Sequence, residues 1–398
     1  MTSPPRHPHS TAIHGEGPQG PRRPGTAVVP PLVRSATFHG GGPDDPEELW
    51  YARYGNTPNS LEVARKLALL EGAEDSLVLG SGMAAISLTL LALVRAGDHL
   101  ISSAELYGAT RLFMEKELPR RGVDVTFVDA ADARGWRREL RPRTRGLYLE
   151  TPTNPALRVR DPRPVAAVAR ERGIPLVVDA TFATPLLLQP LKWGADLVVH
   201  SATKYLGGHS DLCAGVISGG SVMVEEVRGM LRLYGPSLDP QAAWLLDRGL
   251  RTLGVRMAGH SANATELAAW LDGQSGVERV IHLSREDHPD REVYQELMSG
   301  PGGMLGLVLS GGAPAAAAFC RALRLAAVAP SLGGVETLVS LPGLTSHRSL
   351  TVDARRAIGI PDGFVRISVG LEGVEDLKED LSRGLHAAGR ITAPSGGR

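Results

Sequence analysis

The residues of this chain best suited to chemistry gather around one lysine. Leu197-Val198-Val199-His200-Ser201-Ala202-Thr203-Lys204-Tyr205 is a short apolar run that ends in two hydroxyl residues and an amine. Twenty-five positions earlier, Ile174-Pro175-Leu176-Val177-Val178 ends in Asp179. Two buried strands made from such runs deliver an acid and an amine to one edge of a sheet. That pairing suits pyridoxal 5′-phosphate (PLP). A lysine amine condenses with its aldehyde, and an aspartate holds a proton on its pyridine nitrogen.

Lysine is scarce here, which narrows the choice. Of 43 Lys plus Arg residues, five are lysines: Lys66, Lys116, Lys192, Lys204 and Lys378. Arginine stays protonated and does not form a Schiff base. Lys66 follows Glu62 at the spacing of an i,i+4 ion pair, Lys116 lies between Glu115 and Glu117, and Lys378 falls in the acidic Glu375–Asp380 stretch. Those three read as solvated charges. Lys192 precedes Trp193 with no strand leading into it, so Lys204 alone ends a buried-type run.

Other residues could complete such a site. Gly80-Ser81-Gly82-Met83 joins a strand pattern to a helix pattern, where backbone N–H groups and the helix dipole suit a phosphate. Ser201 and Thr203 add hydroxyl donors beside Lys204. Tyr107 could stack on a cofactor ring or simply fill the core. Asn154, in Glu150-Thr151-Pro152-Thr153-Asn154-Pro155, could reach the cofactor's phenolic oxygen, although Asn-Pro is first a turn signal. Arg366, in Phe364-Val365-Arg366-Ile367-Ser368-Val369, could point inward and capture a carboxylate bidentately, or outward into water.

The elements that must position these residues alternate along the chain. Strand patterns occur at 76–79, 99–102, 123–128, 144–149, 174–179, 197–200 and 214–218. Helix patterns occur at 61–71, 84–94, 110–120 and 164–171. Such alternation predicts a mainly parallel α/β sheet covered by helices. A long helical pattern over 241–257 leads into a smaller C-terminal region with strands at 306–310 and 365–369, an alanine-rich helix at 314–325 and a final helix from Val374. Six prolines among the first 26 residues predict a mobile start, followed by a glycine- and proline-rich stretch over 40–46. The tail after Gly389 is expected to fray.

Composition sets bounds. The chain has 398 residues, enough for two domains, and is 42% hydrophobic with no formal net charge. No basic patch suggests nucleic acid as a partner, and no apolar run approaches the ~20 residues that span a membrane. Cys213 and Cys320 make neither a disulfide framework nor a zinc-site spacing. A cytoplasmic protein without metal is expected.

Taken together, these segments resemble the Cys/Met-metabolism family of PLP enzymes, which includes cystathionine γ-synthase, cystathionine γ- and β-lyase and methionine γ-lyase. The resemblance runs over nearly the whole chain, from Thr11-Ala12-Ile13-His14 to the final helix. Its landmarks include Tyr51-Ala52-Arg53-Tyr54-Gly55-Asn56, Ser81-Gly82-Met83, Leu106-Tyr107-Gly108, Ser331-Leu332-Gly333-Gly334-Val335-Glu336 and Arg366-Ile367-Ser368-Val369-Gly370-Leu371-Glu372, together with the segments above.

The resemblance implies a fold-type I PLP-dependent transferase fold. It assigns 1–57 to an arm reaching the neighbouring subunit, 58–255 to the PLP-binding domain and 256–398 to a C-terminal domain. Lys204 would be the Schiff-base lysine and proton shuttle, Asp179 the partner of the pyridine nitrogen, and Tyr107 the stacking residue and possible acid or base. Gly82, Met83, Ser201 and Thr203 would hold the phosphate, completed by Tyr51 and Arg53 of a neighbouring subunit in a homotetramer of close dimers. Asn154, Ser331 and Arg366 would handle the phenolate and the substrate carboxylate.

Departures from the family pattern fall around the substrate. The chain has Asn56-Thr57-Pro58 for Asn-Pro-Thr, Asp179-Ala180-Thr181 for Asp-Asn-Thr, Ala109 for Cys or Gly, and Leu341-Pro342-Gly343-Leu344-Thr345-Ser346-His347 for His-Pro-Ala-x-x-Thr-His. Ser340 stands where cystathionine-processing members often carry glutamate. The resemblance implies γ-elimination or γ-replacement on a small C4-substituted L-amino acid with a sulfur, acyloxy or halide leaving group. The alternatives are a cystathionine or cysteine β-lyase and a non-catalytic PLP-binding protein.

Overall fold

Seven of the short apolar runs become the strands of one sheet. They are β1 (Asp75–Leu79), β2 (His99–Ser103), β3 (Asp124–Val128), β4 (Thr144–Glu150), β5 (Leu176–Asp179), β6 (Leu197–Ser201) and β7 (Gly215–Gly219). The structure is a computed structural model that describes residues 7–15, 24–25, 27–40, 50–345, 348 and 351–392. Strand order is β1-β7-β6-β5-β4-β2-β3. Pairings from β3 through β6 are parallel, whereas β7 lies antiparallel between β6 and β1. The chain passes from β6 to β7 through residues 202–214 with no crossover helix between them, and a connection without a crossover favours antiparallel entry.

Helices cover both faces, so successive strand residues pack into two different cores. Val177, Leu197 and Val199 join Tyr148 and the helices Gly82–Leu93 and Ser221–Tyr234 on one side. Val178, Val198 and Leu149 pack with Val165 and Val168 of the helix Pro162–Arg172 on the other. Burial on both faces explains why these strands are continuous apolar runs rather than alternating ones.

A second sheet has the order β10-β11-β12-β9-β8. Its strands are β8 (Val277–Ile281), β9 (Met304–Leu309), β10 (Ala327–Val328), β11 (Leu338–Ser340) and β12 (Phe364–Ser368). The helices Leu253–Leu271, Gly312–Ala322 and Val374–Thr392 pack on one face of it around Val365, Ile367 and Phe319. Alternation in β12 then turns Arg366 to the opposite face.

Three expectations are corrected. The helical pattern at 241–257 is two helices, Pro240–Leu250 and Leu253–Leu271, with a break at Arg251 and Thr252. The proline-rich start contains a helix, Pro8–His14, with Pro8 at the first turn where its missing N–H costs nothing. Ala12 of that helix is buried in a core with Val63, Ala64 and Leu67. Residues 1–6, 16–23 and 26, and most of the 40–46 stretch, lie outside the described residues.

Lys66 is the third. It is 1% exposed and pairs with Asp247 on the helix Pro240–Leu250, not with Glu62 in solvent. Its own helix, Pro58–Glu71, packs against that second helix, a contact that local spacing could not reveal. Lys116 and Lys192 are exposed, and Lys378 bridges Glu266 and Glu375 near the surface.

Candidate active site

The carboxyl ends of β4, β5 and β6 and the turn after β1 converge on a cavity of about 440 Å³. This is where a doubly wound parallel sheet places its ligands. The second sheet closes the cavity through β11, β12 and the segment at Ser331. Of the candidate residues named from the sequence, Gly82, Met83, Tyr107, Asn154, Asp179, Ser201, Thr203, Lys204, Ser331, Ser340 and Arg366 all line it. Tyr51 and Arg53 do not. They lie exposed on a turn where Arg53 sits over the Tyr51 and Tyr54 rings, at 5.7 and 4.8 Å, and donates to the Arg232 carbonyl at 2.5 Å.

Lys204 follows β6, and its Nζ donates to Ser331 Oγ at 2.7 Å. Burial, reinforced by the positive charge of Arg366, brings its pKa down to about 8. A lysine amine is thereby readied to act as a nucleophile and a base. Ser331 holds a left-handed backbone, φ 91°, which is uncommon for a residue with a side chain. That conformation accompanies two functions: Oγ meets Lys204, and the carbonyl oxygen accepts from Arg366 Nη2 at 2.7 Å.

Arg366 is 7% exposed, and burial lowers its pKa to about 10. Nη1 donates to Asn154 Oδ1 at 3.0 Å, whereas Nε is buried without a partner. A buried guanidinium fixed at both terminal nitrogens is oriented to receive an anion.

Asp179 ends β5 and is 5% exposed. Its Oδ1 accepts from the Thr181 N–H at 3.0 Å and the Thr181 hydroxyl at 2.6 Å, and Oδ2 accepts from the Tyr148 hydroxyl at 3.3 Å. Burial raises its pKa, and the Thr181 bonds oppose that rise. A cationic partner in the cavity would relieve the remaining cost of burying this acid.

At the other end, Gly82 opens the helix Gly82–Leu93, with the Ser81 hydroxyl capping the Ala84 N–H at 3.0 Å. A Cβ on Gly82 would stand 2.6 Å from Ser201 Cβ. Only glycine lets this helix N-terminus come so close to the end of β6. Its N–H groups and the Ser201 hydroxyl form a donor set suited to a phosphate, and beside them the Thr203 hydroxyl donates to the Ala214 carbonyl at 3.3 Å and accepts the Ala214 N–H at 3.0 Å. Phosphate cradle, buried acid and depressed lysine together fit PLP.

Sequence reasoning missed Glu150, Thr181 and Tyr148. Glu150 lines the cavity and accepts the N–H of Tyr107 and of Asn154, each at 2.8 Å. An acid at the end of a buried apolar strand was its available signal, the same one that singled out Asp179. Ser346 and His347 of the altered loop lie outside the described residues, while Thr345 reaches the cavity wall. Among the described residues, no cluster of His, Cys, Asp or Glu could hold a metal ion, and no helix is long and apolar enough to cross a membrane.

A family model described as Cys/Met metabolism PLP-dependent enzyme matches residues 10–386. The chain belongs to that family. It is 41% identical over 385 residues to an L-methionine gamma-lyase of Pseudomonas putida, covering 94% of this chain and 96% of the relative. It is 40% identical over 337 residues to an O-succinylhomoserine sulfhydrylase of Pseudomonas aeruginosa, covering 85% and 83%. A crystal structure of cystathionine gamma synthase from Xanthomonas oryzae, in complex with aminoacrylate and cysteine, superposes with a TM-score of 0.92 at 34% identity, over 98% of this chain and all of that one. The family's cofactor is PLP, and the fold is the α/β arrangement expected from the alternating elements.

Proposed function

We propose that the protein eliminates or replaces a substituent at Cγ of a small C4-substituted L-amino acid, the leaving group being sulfur, acyloxy or halide. One observation carries this reading: the acids of the cavity are already engaged, and the wall beside Arg366 is neutral. Ser340 is the register partner of Arg366. Glu150 is held by two main-chain N–H groups and Asp179 by Thr181 and Tyr148. No described lining residue offers a free carboxylate to a distal ammonium, so the cavity suits an uncharged γ-substituent. The relatives named a γ-lyase, a sulfhydrylase and a γ-synthase support the same class.

When bound, PLP supplies an electron sink conjugated to the substrate nitrogen. This chain's residues do the rest. Ser201, Thr203 and the N-terminus of the helix at Gly82 and Met83 hold the phosphate. Asp179 holds the proton on the ring nitrogen. Tyr107 covers the ring and assists proton movement, and Asn154 meets the phenolic oxygen. Arg366, with Ser331 and Asn154, holds the α-carboxylate. Lys204 takes the proton from Cα, and its lowered pKa gives it a far larger neutral fraction near neutrality than an ordinary lysine has. A second proton must then leave Cβ before a γ-substituent can depart.

The same reading places the protein in the cytoplasm, with its two free cysteines, as a homotetramer of close dimers. Residues 1–57 serve as the arm toward a neighbour, 58–255 as the PLP domain and 256–398 as the C-terminal domain. The exposed position of Tyr51 and Arg53 outside their own chain's cavity supports the arm.

The experiment is turnover in deuterium oxide over a panel of methionine, cystathionine, O-acyl-homoserines and γ-halogenated amino acids, with products read by mass spectrometry. Exchange at both Cα and Cβ, with a four- or five-carbon 2-oxo acid or a γ-substituted product, is expected. Pyruvate as the main product without Cβ exchange would make the enzyme a β-lyase, and no turnover would make it a PLP-binding protein.

A further inference from the structure

Glu150 ends β4 level with Asp179 at the end of β5, the two being partners in the parallel ladder. It is 4% exposed, and the proposed reaction has no use for it as an acid or a base. Burial, and then the charge of Asp179, push its carboxyl well above the usual range. A buried acid in that position needs strong donors. Those it has are two main-chain N–H groups from separate segments: Tyr107 donates to Oε2 and Asn154 to Oε1, both at 2.8 Å.

The bonding continues beyond them. Asn154 Oδ1 accepts from Arg366 Nη1 at 3.0 Å, Arg366 Nη2 donates to the Ser331 carbonyl at 2.7 Å, and Ser331 Oγ accepts from Lys204 Nζ at 2.7 Å. One run of hydrogen bonds thus borders the cavity from Tyr107 to Lys204. Glu150 is the link that ties the Tyr107 segment to the Asn154 segment.

We propose that Glu150 is a positioning residue for the reaction: its carboxyl group fixes the backbone at Tyr107 and, through Asn154, sets the direction in which Arg366 presents its guanidinium to the substrate carboxylate. This rests on Arg366 as the carboxylate anchor and is independent of whether the chemistry falls at Cγ or Cβ. Glutamine in place of Glu150 keeps the volume but replaces one oxygen, which accepts an N–H whether or not the acid is protonated, by an amide nitrogen that cannot accept. One of the two clamps then opens.

The test uses the PLP-loaded full-length protein and two probes, glycine and methylamine, titrated against the cofactor's visible absorption. Glycine carries the carboxylate that Arg366 would hold and methylamine lacks it, so the ratio of their Kd values reports that contact. Glu150→Gln should lower the preference for glycine at least tenfold while keeping one PLP per chain. Asn154→Ala should lower it similarly, and the double variant should lose no more than the larger single loss, as expected of one shared path. Unchanged preference in loaded Glu150→Gln protein would overturn the proposal, even if its melting temperature fell. Should that variant not load PLP, Glu150→Asp, which keeps both acceptors one methylene further back, is expected to load and to show the same loss. Failure of both to load would assign Glu150 to the scaffold and overturn the proposal. An intact preference in Arg366→Ala would also overturn it, by removing the anchor on which it rests.

Discussion

Lys204 differs from an ordinary lysine in a way that solution chemistry can read. Its amine titrates at about 8 instead of 10.5, because burial disfavours the charged form and Arg366 adds repulsion. Only the neutral amine attacks an aldehyde. After PLP is stripped, the rate constant for reloading should therefore rise with pH up to about 8 and level off above it. Borohydride should then fix the cofactor on Lys204. A rate that kept climbing past pH 10 would show a lysine of ordinary basicity, and a labelled peptide elsewhere would remove the assignment. Asp179 is the counterpart proposed for the ring nitrogen. Its carboxylate is expensive to bury, and Thr181 and Tyr148 offset part of that cost before any ligand arrives.

Among the elements, the junction between the helix Gly82–Leu93 and the end of β6 is the most sensitive to a small change. Gly82→Ala adds one carbon 2.6 Å from Ser201 Cβ, closer than any carbon tolerates. The helix must withdraw from β6, at a cost of roughly 1–3 kcal/mol for overpacking. The phosphate donors would separate with it. Affinity for PLP, measured by equilibrium dialysis, should fall about tenfold or more, since ~1.4 kcal/mol is one decade. Unchanged affinity would mean that this helix end does not hold the phosphate. Elsewhere, the buried pair of Lys66 and Asp247 binds the helix Pro58–Glu71 to Pro240–Leu250, and Arg251 supports Asp247 from the next turn at 2.9 Å. The lysine that local spacing assigned to solvent is thus part of the scaffold.

At the scale of the whole molecule, the proposed arm would let a neighbouring chain complete the site. Tyr51 and Arg53 lie exposed outside their own chain's cavity, and the proposal has them serve a neighbour's. Mixing Arg53→Ala protein with Lys204→Ala protein should restore part of the activity through hybrid dimers, each with one intact site. If hybrids form, as shown by mass, and no activity returns, the arm works within its own chain or not at all. The second sheet contributes at this scale too. Arg366 and Ser340 come from it and Ser331 from the segment between β10 and β11, so the distance between the two sheets sets where a substrate carboxylate can lie relative to Lys204.

The sequence by itself determined the chemistry-bearing ends of the strands. Asp179, Lys204 and Gly82 each stand at a break in an apolar run, and such runs must be buried whatever the fold. The strands at 76–79, 99–102 and 144–149 lie within β1, β2 and β4, because continuous apolar runs between helical patterns leave few other arrangements. What local pattern could not decide was direction and long-range pairing. An apolar run buried on both faces looks the same parallel or antiparallel, so the reversal of β7 was hidden. Alternation in β12 fixes two faces but not which is inward; the helices packed on Val365 and Ile367 turned Arg366 toward an asparagine 212 positions away. Glu150 and Lys66 were ambiguous for the same reason. A carboxylate or an amine is solvated or structural according to the partner it meets, and in this chain those partners arrive only when distant segments close around them.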